Sequence, residues 1–224
     1  MDPSILLLIP AMIFAFYAQH KVGSTFRQYS QVANKQGLTG AVVARRLLDN
    51  SGMTNVKVEH IRGELTDHYD PRDKTVRLSD SVFNSTSVAA LGVAAHEAGH
   101  AMQHDTGYAA LGIRNAILPA AGFGSKLSMP LVIIGLLLGA GGMMFIYAGI
   151  IMFTAVIAFQ IITLPVEFDA SNRALVLLEE NRFLTADELD PARRVLGAAA
   201  LTYVAAVAVS LANLLRLLAL ARRR

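Results

Sequence analysis

Apolar positions along this chain fall into two regimes. Ser4 to Ala18, Leu127 to Val166 and the Ala-rich Val195 to Leu215 are continuous blocks without a charged side chain. Elsewhere apolar residues recur at helix or strand period among polar ones. Uncharged blocks of this length point to a bilayer. The first block reads as an N-terminal transmembrane helix over residues 1–18. Only Asp2 is charged before it, so the basic n-region of a signal peptide is missing, as is a small-x-small cleavage site. The second block is about twice the ~20 residues that one span needs. It therefore predicts a helical hairpin over 117–164, its first arm beginning near Ile117. The turn falls either at Gly139 to Gly142 or at Tyr147 to Gly149, and Gly135 and Gly139 form a GxxxG helix-packing signal. The third block predicts a C-terminal hydrophobic helix that crosses the membrane, with a basic tail, over 195–224.

The polar segments, 19–116 and 165–194, read as a small α+β domain. "GLTGAVVARRLLDNSG" has Thr39 as a helix N-cap, Val42, Val43, Leu47 and Leu48 at helical spacing, and Gly52 as a stop. "VKVEHI" alternates as a strand does. "HYDPRDKTVRLSD" predicts two strands around the turn "DPRD", the second over Thr75 to Leu78. "NSTSVAALGVAAHEAGHAMQ" opens on cap residues and continues as an apolar helix. In "LTADELDPARRVL", Thr185 caps toward Glu188 and a proline precedes the last helix. The predicted fold class is mostly α and integral to the membrane, with about four transmembrane helices and a small zincin-like α+β domain.

A hairpin returns the chain to the face it left, so both polar segments share one side of the membrane. Lys21, Arg27, Arg114, Lys126, Arg173, Arg182, Arg193 and Arg194 flank the spans on that side, which the positive-inside rule makes cytoplasmic. This places the chain in the bacterial plasma membrane as a multi-pass protein. A crossing by the last helix leaves Arg216 and Arg222 to Arg224 outside, against the rule locally. The net charge of +3 is spread along the polar segments without interleaved aromatics, which excludes a nucleic-acid partner. The spans hold almost no ionisable residues, which argues against a transporter or channel. With no cysteine in the chain, any metal must be held by His, Asp or Glu.

"VAAHEAGHAMQH" supplies the first half of such a site. His96 and His100 stand one turn apart on one helix face, so both imidazoles can reach one ion. Glu97 lies beside them as a base for a metal-activated water. His104 is excluded as a third ligand. It sits about 12 Å along the helix from His96, whereas zinc ligands lie at about 2 Å. The third ligand must come from elsewhere on the same face. Glu167 in "LPVEFDASNRAL" follows directly on the second hairpin arm, with Asp169 as its rival. Glu59, Glu64 and Asp67 share the face but lie in strand or turn contexts.

"HEAGHA" after one membrane helix, then a hydrophobic hairpin, then "PVEFDAS" and a late "AALTYVAA" resemble the YugP-like family of membrane-bound neutral zinc metallopeptidases over nearly the whole chain. More distantly, the pattern is similar to the HtpX and CAAX-prenyl-protease type of gluzincin. The resemblance implies one Zn2+ held by His96, His100 and Glu167, with Glu97 as the catalytic base. The distant relatives carry an Asp four residues after the ligand Glu. This chain has Ser171 there, leaving Asp169 or Asn172 to replace that acid.

These readings predict an integral-membrane zinc endopeptidase. Three protein ligands leave a fourth position open, and Glu97 takes a proton from the activated water and passes it to the leaving amine. The oxyanion needs a further donor, for which Tyr69, His68, Tyr108, Arg173 and Tyr203 are candidates. Thr75 to Leu78 is a candidate edge strand for binding substrate by β-addition. The expected partners are the bilayer and a protein or peptide substrate associated with it. A metal-binding membrane adaptor or chaperone without proteolytic activity is the alternative, which the intact Glu97 disfavours.

Overall fold

The computed structural model describes residues 3–222. Among these it holds six α-helices and three short strands. A 3-10 turn at Pro3–Leu7 leads into α1 (Leu8–Tyr29). Next come α2 (Gly40–Asn50), β1 (Lys57–His60), β2 (His68–Asp70) and β3 (Thr75–Leu78). Then follow α3 (Val88–Asp105), α4 (Ala109–Leu137), α5 (Met143–Glu180) and α6 (Ala186–Arg222). Four stretches are long and apolar enough to cross a membrane: Ile5–Tyr29, Ala109–Leu137, Met143–Glu180 and Ala186–Arg222. They present bare apolar side chains, Leu137 being 82% exposed. Such surface needs lipid rather than water around it. The protein is a mostly-α membrane protein with a small α+β part.

The chain divides into two compact units. One gathers residues up to Gln19, Ala109–Pro165 and Thr202 onward; the other comprises His20–Tyr108 and Val166–Leu201. In the first, α4 and α5 form the expected hairpin, but α4 begins at Ala109 rather than near Ile117. The turn is Gly139–Gly142, and Tyr147 to Gly149 is helical. Gly139 opens the turn at φ +64°, a conformation costly for a residue with a Cβ. The GxxxG is thus split between two jobs. Gly139 turns the chain, while Gly135 lets the two arms touch at Gly142. Further along the same seam, a Cβ on Gly149 would stand 2.6 Å from the Ser128 carbonyl oxygen.

The second unit is an ordinary packed core. Thr39 caps α2 by accepting the Val42 N–H, and Gly40, Val43, Ala44, Leu47 and Leu48 are buried at helical spacing. The sheet order is β1-β3-β2, with β1 parallel and β2 antiparallel to β3. This corrects the expectation for Thr75 to Leu78. That strand is central, its backbone groups are used on both sides, and it cannot accept an added strand. The free edges belong to β1 and β2. Glu188 reaches back over the start of the last helix, its carboxylate accepting the Thr185 N–H at 2.8 Å. Accordingly α6 begins at Ala186, and Pro191 lies inside it rather than before it. No break separates the polar residues before 195 from the apolar ones after.

Candidate metal centre

Helix α3 starts where Ser87 accepts the Ala90 N–H at 3.1 Å. Alanines 89, 90, 94, 95, 98 and 101 are all buried, so the helix is enclosed and its small side chains allow close neighbours. Gly99 carries this furthest. A Cβ there would lie 2.8 Å from the carbonyl oxygen of Ala170 on α5. The two helices meet backbone to backbone between the two histidines and the acid that faces them.

That approach brings His96, His100 and Glu167 together, with one donor atom from each all within 4.8 Å of one another. Glu167 Oε2 is 3.4 Å from His96 Nε2 and 3.6 Å from His100 Nε2. The two rings stand nearly perpendicular, at 80°, with centroids 4.6 Å apart. Glu167 Oε2 is buried and, among the described residues, has no hydrogen-bond partner. A carboxylate oxygen left so is costly. Two nitrogens and one oxygen converging on it are the donor set that suits zinc. The residues present fit that ion.

Each imidazole is held from behind. His96 Nδ1 lies 3.1 Å from Ser171 Oγ, and His100 Nδ1 lies 3.0 Å from Gln103 Oε1. Both Nε2 atoms therefore face Glu167. Gln103 is fully buried, and its amide N–H groups donate to the Val166 carbonyl and to Asp169 Oδ2, both at 2.8 Å. Arg173 Nε donates to the same Oδ2 at 2.6 Å. Burial pulls the His100 imidazole down, and the neighbouring carboxylates of Glu167 and Glu97 more than offset it, so its pKa is raised. Glu97 is 7% exposed. Burial pushes its carboxyl above the ordinary range, against the pull of His96 and His100 and with the help of the Asp67 and Glu167 charges.

The other expected residues are placed as follows. Asp169 is outside the donor cluster, occupied by Gln103 and Arg173. The Arg173 guanidinium also lies over the Tyr108 ring, 5.9 Å from its centroid. The Tyr69 hydroxyl is bonded to His104 Nδ1 at 2.9 Å, which accounts for both side chains. His68 Nδ1 is 2.8 Å from its own segment's Thr66 carbonyl. Tyr203 belongs to the other compact unit. Three participants were not singled out from sequence: Gln103, Gly99 and the contact made by Ser171. The signal for Gln103 was its spacing, three residues beyond His100 and so on the same helix face. Ser171 stands one turn beyond Glu167.

The fold and the donor cluster together describe a membrane protein with two half-buried histidines gathered around a buried glutamate. Residues 4–222 match the family described as "Putative neutral zinc metallopeptidase", and the chain belongs to that family, in agreement with the resemblance carried by its motifs. It is 49% identical over 212 residues to a Bacillus subtilis (strain 168) protein named "Putative membrane protease YugP", a similarity covering 95% of this chain and 93% of that relative. No solved structure matches the chain.

Proposed function

We infer that this protein is an integral-membrane zinc endopeptidase, with His96, His100 and Glu167 as the ligands of one ion and Glu97 as the general base. The observation that carries this reading is the buried Glu167 Oε2, without a hydrogen-bond partner among the described residues, facing two imidazole Nε2 atoms whose helix also carries the buried carboxyl of Glu97. A zinc ion held by His96, His100 and Glu167 would supply Lewis acidity toward a water and a peptide carbonyl. The chain's own residues do the rest. His100 presents its Nε2 lone pair because its Nδ1 faces the Gln103 amide oxygen, and His96 is steadied from behind by Ser171. The Glu97 carboxylate takes a proton from the attacking water and delivers it to the leaving amine nitrogen.

The substrate is a protein or peptide at the bilayer. Residues 20–108 and 166–201 face the cytoplasm, on the evidence of the basic residues that flank the spans. Glu97→Gln tests the mechanism, because it keeps the side chain's shape and removes the base. Detergent-purified variant should hold zinc at the wild-type ratio and lose about 100- to 10,000-fold in peptide hydrolysis. Unchanged turnover rejects Glu97 as the base. Wild-type protein that holds zinc and cleaves no peptide favours the adaptor reading instead.

A further inference from the structure

We propose that Gln103 is the positioning residue of the zinc centre, and that its amide fixes which nitrogen of His100 faces the metal. The inference rests on the zinc-site reading above and deepens it.

The argument follows donors and acceptors. The Val166 carbonyl oxygen can only accept, and it lies 2.8 Å from one end of the Gln103 amide. That end must therefore be the NH2 group. Its second hydrogen goes to Asp169 Oδ2, also at 2.8 Å. Arg173 Nε holds that carboxylate oxygen in place from the other side. With its NH2 committed, Gln103 can offer only Oε1 to His100, and it does so at 3.0 Å from Nδ1. An amide oxygen accepts and cannot donate, so Nδ1 carries the hydrogen. Nε2 is then the nitrogen with a free lone pair, and it faces Glu167 Oε2. The same amide grips the backbone of Val166, the residue before Glu167. One fully buried side chain thus orients a ligand on α3 and is tied to the turn of α5 that carries the other. Its polar groups are all satisfied, so it has no second low-energy orientation to adopt.

Ser171 cannot do this for His96 with equal rigour. A hydroxyl both donates and accepts, so it tolerates either tautomer. The relay through Gln103 therefore fixes His100 alone.

The test is the zinc dissociation constant of full-length, detergent-solubilised protein, measured by chelator competition, beside the thermal midpoint of the zinc-free protein. Gln103→Met matches the volume and removes both halves of the relay. It should weaken zinc binding by about 10–100-fold. It should also abolish the protected Nδ1 proton signal of His100 in histidine-labelled NMR spectra. Zinc binding within about twofold of wild type, against that 10–100-fold expectation, overturns the proposal. Gln103→Glu keeps an acceptor opposite Nδ1 and loses the donors. It should retain the Nδ1 signal and bind zinc more tightly than the Met variant does. If Gln103→Glu is as weak as Gln103→Met, Gln103 is only a tie between α3 and α5, and the proposal falls. Failure of the underlying zinc reading looks different, because then Glu167→Gln also leaves zinc binding unchanged.

Discussion

At the scale of single residues, the site turns on which carboxylate is free to ligate. Asp169 and Glu167 are separated by one residue and are chemically alike. Asp169 is spoken for by Gln103 and Arg173, whereas Glu167 Oε2 is buried, faces only the two imidazoles in the donor cluster and has no hydrogen-bond partner among the described residues. Glu167→Gln should therefore lower zinc content well below stoichiometric in metal analysis of purified protein, while Asp169→Asn should retain most of it. An emptied site in the Asp169 variant alone would assign the ligands the other way round. Ser171 supports His96 with a neutral hydroxyl, its Oγ lying 3.1 Å from Nδ1. It lacks the negative charge that strengthens a histidine ligand in carboxylate-backed sites.

At the scale of elements, the site depends on how closely α3 and α5 approach. Gly99 sits between the two histidines, and its missing Cβ is the space that the Ala170 carbonyl occupies. Gly99→Val should force the helices apart. Overpacking of this kind costs about 1–3 kcal/mol, so the thermal midpoint should fall. Zinc content should fall with it, because Glu167 moves with the α5 backbone. A variant with wild-type zinc retention would show that the centre does not need this contact. The sheet is the element where sequence reasoning went astray. Alternation and turn chemistry locate all three strands, but they say nothing of order. Placing β3 between β1 and β2 requires a parallel pairing with β1. Val76 and Leu78 of β3 are fully buried in the same core as α2 and α3, a long-range packing that local alternation does not encode.

At the scale of the whole molecule, the question is which way the chain faces. The absence of cysteine makes it directly testable, since any introduced thiol is a unique label. Lys57, Met144 and Arg222 are all exposed. In the proposed topology, a membrane-impermeant maleimide added to intact cells should label Met144→Cys and Arg222→Cys. Lys57→Cys should react only after the membrane is opened. Labelling of Lys57→Cys in intact cells would place the metal centre outside. Protection of Arg222→Cys would mean that α6 does not cross, in keeping with its basic end.

The sequence by itself determined whatever depends on local periodicity. Four-residue spacing puts His96 and His100 on one face whatever the helix packs against, and long uncharged blocks mark membrane helices whatever their order. The caps at Thr39 and Thr185 were legible for the same reason, since a cap acts within three residues of itself, whereas within the run of cap residues before α3 the structure picks out Ser87. Tertiary structure decided what depends on approach between distant segments: that Glu167 rather than Asp169 faces the imidazoles, that β3 is central, and that Gln103 spans two helices. The first and the last follow from backbone contact at Gly99 and from competition for hydrogen bonds in a buried space, and the second from burial of β3 in the core. None of these leaves a periodic trace, because the partners are brought together by folding and not by spacing.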